Sequence, residues 1–515
     1  MLSAAAAKLL GAFFKIPLTN ILGGVGMSYF SCAYSIFMPV YSLTVTGLTA
    51  AVARMTAKAA AVGDSMQVQS IRRTALILFS LAGLAGSLLI ALLARPFSIL
   101  SVGNTDAQAA IVMIAPTVFF GCITAVERGY YEGMSNMYPT AVSQVAEGAV
   151  KVAAGLWLCG YVTAHPDMLR RFFPDMEDMR AGAAAAGIFG VTLSSVGAWL
   201  FFAVMSMLLG KHKKSSSEWN ISTAKELTRT ALPTGVSAVV TNLTALIDMW
   251  TVIGCLRPET AGVSGIGADD IPHFVYGSFS GIALTVFNLV PSVTNMLGKG
   301  ALTCVTSAYE SGDRAALRNS TVQALIVSAV IALPASVGLG ILSREVLDIL
   351  YPMQSDEVMI CVQPLRLLMP GMVCLCVSYP LFSMLQAVGK PSLPLKIMLI
   401  GTVLKLAGNL ILIPLMGADG AALSTSLCYG AILLISLITY LRAAEIKLSL
   451  SPFAKVLYSG AVCGGAAYIA ASAMRKSGAS DIAVLLISAA AGGTAYIAML
   501  YALMGVRKQK KTAAV

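Results

Sequence analysis

Long apolar stretches dominate this chain and constrain its fold more than any other feature. Five of them contain no charged residue, at 74–94, 181–210, 319–343, 367–389 and 482–506. A helix that crosses the hydrocarbon core of a bilayer needs about 20 mostly apolar residues. Charged residues make up only 11% of the 515 residues, too few to cover the surface of a soluble protein of this size. We therefore predict an all-α polytopic membrane protein.

Further stretches reach the same length if one or two charges are allowed inside them, which gives about fourteen transmembrane helices. The predicted spans are 2–22, 27–53, 74–94, 107–127, 139–162, 182–210, 228–254, 273–298, 319–343, 360–389, 395–416, 419–441, 453–474 and 481–506. Of the 35 Lys and Arg residues, 22 fall in or beside alternate loops, on the side that also holds both termini. Cytoplasmic loops carry the excess of basic residues. The sequence thus predicts a multi-pass protein of the bacterial cytoplasmic membrane with both termini in the cytoplasm.

A faint internal repeat indicates how the helices are grouped. Lys151 follows Pro139 by 12 residues and Lys405 follows Pro391 by 14, and the two lysines lie six predicted helices apart. Repeats of this size are common in transporters and place the substrate site where the repeats meet. We predict two pseudo-symmetric six-helix lobes followed by two further helices. The corresponding segments are 1–215, 216–446 and 447–515.

Polar side chains inside the predicted spans mark a candidate substrate cavity. A charge at the centre of a membrane helix costs about 2.5–3.5 kcal/mol if it faces lipid, so these side chains must face protein or water. The candidate site residues are Lys8, Lys15, Glu147, Lys151, Asp248, Asn288, Asn295 and Lys405. Four lysines against two acids give the cavity a net positive charge, which favours an anionic substrate group.

Some of these residues could instead have a purely structural role. Glu147 and Lys151 are spaced i, i+4 on one helix and could neutralise each other. Lys8 could extend to the lipid headgroups. Asn288 and Asn295 could join helices instead of binding a ligand. The scattered cysteines and three histidines do not form a disulfide framework or a metal-binding spacing, and we expect no metal, no cofactor and no nucleic-acid partner.

Two segments resemble a known family. The segment 128–133 (RGYYEG), followed by Pro139, the Ser143–Val145 triplet, Glu147 and Lys151, resembles the fourth-to-fifth helix signature of the stage V sporulation protein B group. The first helix, with KLLG at 8–11 and KIPL at 15–18, resembles that group and the lipid II flippases. Both groups belong to the multidrug/oligosaccharidyl-lipid/polysaccharide exporter superfamily.

The resemblance implies a transporter rather than an enzyme. It implies alternating access by two lobes that flip an undecaprenyl-pyrophosphate-linked precursor of peptidoglycan or another polysaccharide, with a groove for the lipid tail formed by the last two helices. Carried over from the family, Lys8 and Lys15 would meet the pyrophosphate, Lys151 would be a further ligand and Lys405 a weaker one. Membrane lipids, and enzymes of cell-wall or polysaccharide synthesis, would be its partners, and a monomer coupled to an ion gradient or the membrane potential is expected.

Two other functions compete with a flippase. The chain could be a drug or cation antiporter of the MATE type that uses Glu147 and Asp248 as coupling acids. It could also be a membrane-embedded glycosyltransferase, which would need a large extracytoplasmic loop with catalytic carboxylates. The longest such loop here is predicted to have roughly 20 residues, which argues against an enzyme.

Overall fold

The computed structural model describes residues 2–165, 178–208, 220–260, 266–390 and 392–512, and every regular element in these ranges is a helix. Within these ranges, twelve helices are long and apolar enough to cross a membrane, and a bent helix pair adds a thirteenth. The prediction of an all-α, multi-pass membrane fold is therefore confirmed.

One of the twelve is long enough for two crossings. The continuous segment Phe13–Ala61 has 49 residues, about 75 Å of helix against a hydrocarbon core of about 30 Å. Its helical geometry breaks at Gly23, whose φ of 65° lies in the left-handed region that glycine adopts without a Cβ clash. The break falls where the sequence predicted the loop between the first two spans. Counting the two parts separately brings the described spans to about the fourteen predicted.

The bent pair corresponds to the eighth predicted span. Ile271–Phe287 and Leu289–Asn295 meet at an angle of 44°. Asn288 lies at the break, and its side-chain amide donates a hydrogen bond to the carbonyl of Leu284 at 2.7 Å. The polar side chain of Asn288 at the break is therefore hydrogen-bonded within the same segment.

The chain divides into two compact units, and unit 1 comprises Met1–Gly254 together with Pro272–Gly281. Its helices are α1 (Leu2–Tyr41), α2 (Gly47–Ala61), α3 (Ser65–Val102), α4 (Ala107–Ile114), α5 (Pro116–Gly133), α6 (Tyr138–Ala164), α7 (Met179–Leu208), α8 (Ile221–Cys255) and α9 (Ile271–Ser278), with a π-helical turn at Ser42–Thr46 between α1 and α2. The helices α6 and α7 pack most extensively. They cross at Gly155 and Gly190, where a Cβ on Gly190 would lie 2.2 Å from the Cα of Gly155. Small residues at such a crossing let two membrane helices approach closely.

Unit 2 comprises Cys255–Ile271 and Ile282–Val515. Its helices are α10 (Leu284–Phe287), α11 (Leu289–Glu310), α12 (Arg314–Ile341), α13 (Ser343–Leu350), α14 (Ser355–Ala387), α15 (Leu393–Met416), α16 (Ala418–Ala444), α17 (Ser451–Lys476) and α18 (Asp481–Thr512). α14 packs along α16, and the last two helices pack on each other and on α12. Gly460 and Gly464 of α17 fit against Leu333 and Val337 of α12. The proposed segments 1–215, 216–446 and 447–515 stay a prediction.

Candidate functional site

Two lysines predicted from the sequence lie on neighbouring helices of unit 1. Lys15 on α1 and Lys151 on α6 are both partly buried, and Lys151 lies over the ring of Phe14, the residue that precedes Lys15. The ammonium group of Lys151 donates a hydrogen bond to the hydroxyl oxygen of Tyr34 at 3.0 Å. It also lies 5.1 Å from the ring centre of Phe14 and 5.5 Å from that of Tyr34, within the range of a cation–π contact.

An aromatic stripe on α1 supports this lysine pair. Phe30, Tyr34, Phe37 and Tyr41 are spaced i, i+4, i+7 and i+11, so they share one face of the helix. Successive ring centres lie 4.8, 5.8 and 4.9 Å apart. Tyr34 packs between Phe30 and Phe37 in this stripe, and its hydroxyl group is the one that Lys151 contacts.

Glu147 lies one helical turn before Lys151, but its partner is Arg128 on α5. The Nη2 of Arg128 and the Oε2 of Glu147 are 2.6 Å apart, and their side chains are 14% and 27% exposed. The Nε of Arg128 donates to the hydroxyl of Ser143 at 3.0 Å. The neutralisation of Lys151 by Glu147, which the i, i+4 spacing left open, is therefore replaced by an ion pair between helices.

Glu127, the residue before Arg128 on α5, forms a second ion pair. Glu127 receives hydrogen bonds from Nε and Nη2 of Arg72 on α3, at 3.1 and 2.8 Å. The guanidinium of Arg72 also lies 4.9 Å from the ring centre of Tyr130. Adjacent residues of α5 thus connect this helix to α3 on one side and to α6 on the other.

Two further predicted site residues, Asp248 and Lys8, belong to unit 1. Asp248 on α8 is 2% exposed and lies near Tyr276, whose hydroxyl group hydrogen-bonds Ser35. Lys8 belongs to α1, but its side chain lies outside the part of the structure that is described. The structure thus places Lys151 against α1 and Asp248 near Tyr276.

In unit 2, the predicted site residues differ in exposure. Lys405 on α15 is 3% exposed, and its backbone carbonyl accepts a hydrogen bond from Ser424 of α16 at 3.1 Å. Asn288 is exposed at the helix break, and Asn295 on α11 is partly buried. The role of these three residues in a substrate site stays a prediction.

Sequence reasoning missed the roles of Arg128, Arg72, Glu127 and Tyr34. The predicted spans end at 127 and begin at 74, which places both arginines beside cytoplasmic loops. The helical segments extend further, from Ser65 to Val102 and from Ala107 to Gly133, so the arginines lie on helices within the protein. For Tyr34, the i, i+4, i+7, i+11 run of aromatic residues was a usable signal. Among the residues described, no group of three or more His, Cys, Asp or Glu side chains is arranged to hold a metal ion.

A family model described as "Lipid II flippase MurJ" matches residues 107–489, well over half of the chain. Among curated proteins, stage V sporulation protein B of Bacillus subtilis (strain 168) is 23% identical over 461 residues, covering 89% of this chain and 85% of that protein. The lipid II flippase MurJ of the same organism is 24% identical over 458 residues, covering 85% and 80%.

Solved structures show the same fold. The lipid II flippase MurJ in an inward closed conformation aligns with a TM-score of 0.70 at 15% identity, covering 97% of both chains. A multidrug resistance MATE family transporter of the MOP superfamily, in an inward-facing conformation, aligns with a TM-score of 0.68 at 14% identity, covering 86% of this chain and 94% of that one. At these identities the likeness concerns the fold alone, so it does not separate a flippase from an antiporter.

Proposed function

Because the chain belongs to the lipid II flippase MurJ family, we propose that it flips a lipid-linked, pyrophosphate-bearing glycan precursor across the bacterial cytoplasmic membrane. As a member of this family it is a multi-pass membrane transporter, not an enzyme. Both termini would lie in the cytoplasm, and the transport would proceed by alternating access.

The observation that carries this proposal is the lysine pair Lys15 and Lys151. Like charges repel strongly where the dielectric constant is low, so two neighbouring ammonium groups are costly unless an anion joins them. Glu147, the carboxylate nearest in sequence to Lys151, is paired with Arg128. A pyrophosphate diester carries two negative charges and would offset both lysines. A cationic drug would add to the repulsion, so the pair argues against the antiporter.

The proposed path for the lipid tail lies at the last two helices. α17 and α18 expose large apolar side chains such as Leu457, Ile469 and Leu486, each more than 60% exposed. Apolar surface of this kind suits a prenyl chain, because it replaces contacts with bilayer lipid at little cost.

The test is the double variant Lys15→Ala/Lys151→Ala in a strain depleted of its own lipid II flippase. The parent chain should restore growth, and the double variant should restore none, although it reaches the membrane at the parent's level. Normal growth with the variant would overturn the assignment of the lysines. If the parent gives no complementation but deletion raises drug sensitivity with normal wall synthesis, the antiporter that uses Glu147 and Asp248 would be favoured instead.

A further inference from the structure

Glu147 has two basic residues available to it, one on a neighbouring helix and one on its own. We propose that Arg128 is a positioning residue that holds Glu147 away from Lys151, so that Lys151 stays available to the substrate's pyrophosphate. This inference rests on the proposed function. It assigns Arg128 a role in which it affects the substrate only through Glu147.

The alternative partner lies within reach on the same helix. Glu147 precedes Lys151 by four residues, and a Glu placed N-terminal to a Lys at this spacing is the favourable orientation for an ion pair along a helix. In solution such a pair contributes only about 0.2–0.5 kcal/mol. Within the protein, where the dielectric constant is lower, the same attraction is several times stronger. An unengaged Glu147 would therefore turn to Lys151.

The geometry around Arg128 opposes that turn. Its guanidinium contacts Glu147 through Nη2 at 2.6 Å and Ser143 through Nε at 3.0 Å, so two bonds fix its plane. Ser143 itself is fully buried, and its hydroxyl donates to the carbonyl of Thr140 at 2.9 Å. An arginine keeps its charge at every accessible pH, so Glu147 remains paired without any proton exchange.

Lys151 is oriented in the opposite direction. Its ammonium group contacts the Tyr34 hydroxyl and the rings of Phe14 and Tyr34, all on α1, the helix that also carries Lys15. None of these contacts supplies a negative charge. The two side chains of α6 are therefore engaged by different helices: the carboxylate of Glu147 contacts α5, and the ammonium group of Lys151 contacts α1.

The Arg72–Glu127 pair provides a matched control in the same unit. It has a similar separation, 2.8 Å, and its arginine side chain is similarly buried, at 19% exposure. Glu127 is followed four residues later by Tyr131 instead of a lysine. Breaking this pair releases a carboxylate that has no site lysine one turn away.

The experiment measures the affinity of the purified full-length chain in detergent for farnesyl pyrophosphate, with farnesol as the probe that lacks the charged group. Arg128→Gln should weaken pyrophosphate binding about tenfold, because Glu147 then neutralises Lys151. Arg128→Gln/Glu147→Gln should return to within about threefold of the parent, since neither charge remains to compete. Arg72→Gln should bind as the parent does, when it is measured well below its own melting temperature.

Two results would overturn the inference. One is unchanged binding by Arg128→Gln. The other is a double variant as weak as Arg128→Gln alone, which would mean that Arg128 contacts the pyrophosphate itself or only maintains the fold. If Arg128→Gln does not fold, the comparison of Glu147→Gln with the double variant decides: equal affinity supports the inference, and a further tenfold loss contradicts it.

Failure of the proposed function would look different. In that case Lys151→Gln would bind farnesyl pyrophosphate as tightly as the parent, and no variant of the series would differ from it. A loss of binding with Lys151→Gln, together with unchanged binding by Arg128→Gln, would leave the flippase proposal standing and remove only the role of Arg128.

Discussion

Unit 1 and unit 2 place their ion pairs in different surroundings. In unit 1, Arg72–Glu127 and Arg128–Glu147 join helices within the bundle, and all four side chains are less than 30% exposed. A third pair of unit 1, Arg180–Asp178, lies at the start of α7, and its arginine is 47% exposed. In unit 2, the described pairs lie at helix ends. Arg314–Glu445 is about two-thirds exposed on both sides, Arg344–Asp348 lies along the short helix α13, and Arg475–Glu345 joins α17 to that helix.

The difference follows from the cost of charge burial. Removing one partner of a buried pair leaves an uncompensated charge, whereas an exposed pair exchanges its contact for water. Pairs within a membrane bundle therefore persist only where the fold or a function needs the charges there. In unit 1 the proposed role in transport concerns Arg128–Glu147 alone, whereas Arg72–Glu127 joins α3 to α5. The pairs of unit 2 would anchor its connections.

The largest difference between variants is expected at Lys151 and Lys405, the two lysines at corresponding positions of the faint internal repeat. Lys151→Gln is expected to lower flipping by more than about tenfold, because Lys151 belongs to the lysine pair, and Lys405→Gln is expected to lower it less. Complementation of a flippase-depleted strain measures both, with the exposed Lys390→Gln as the reference. A stronger defect in Lys405→Gln would reverse the comparison of the two units.

The next effect concerns the stability of unit 1. Arg72→Gln removes the partner of Glu127, which is only 6% exposed, and should lower the free energy of unfolding by about 3–5 kcal/mol. Thermal unfolding in detergent would show this as a large fall in Tm. Arg72→Gln/Glu127→Gln should regain part of the loss, since no charge is left unpaired. Equal Tm values for the parent and Arg72→Gln would show that this pair contributes little.

A pH effect is expected at the anchor of α17 in unit 2. Burial by itself would raise the pKa of Glu345, but the hydrogen bond from Arg475 and the nearby charges of Arg475 and Arg366 hold this pKa below its usual value. A depressed pKa means that the carboxylate stabilises the fold above its unfolded pKa of about 4.3, and that this contribution is lost as the pH falls further. The Tm of the parent should therefore be higher than that of Glu345→Gln at pH 7. The difference between the two Tm values should disappear as the pH is lowered below about 4. A gap that is constant with pH would contradict this account.

The smallest effect is expected at the exposed pair of unit 2. Arg314→Gln breaks the contact with Glu445, but both side chains are solvated, so the free energy of unfolding should change by less than about 1 kcal/mol. Measured beside Arg72→Gln under the same conditions, it gives the contrast between the units directly. Similar losses in both variants would remove the basis of that contrast.

Much of the fold could be predicted from the sequence because hydropathy acts on each segment separately. Each apolar stretch must satisfy its backbone hydrogen bonds internally in a bilayer, and a helix is the way to do so within one segment. The break at Gly23 falls between the first two predicted spans, and the bend at Asn288 falls inside the eighth. Both features have local causes in the chain. The ends of helices were less predictable, since a helix continues past the hydrocarbon core into regions that tolerate charge.

The sequence could propose members of the candidate site but not their pairings. The cost of charge in a membrane made Lys15, Glu147, Lys151 and the others candidates, and their role in a substrate site stays a prediction. Which charge meets which depends on how helices far apart in the chain pack. The i, i+4 spacing suggested Lys151 for Glu147, yet α5 presents Arg128 at 2.6 Å.

The sequence by itself determined that this chain is a bundle of membrane helices, because apolar length is a local property of each segment. The excess of positive charge inside the bundle stays a prediction. Tertiary structure alone decided that Lys151 contacts Phe14 and Tyr34 of α1 and that Arg128 engages Glu147. Those contacts join α1, α5 and α6, and only packing fixes the distance between side chains on separate helices.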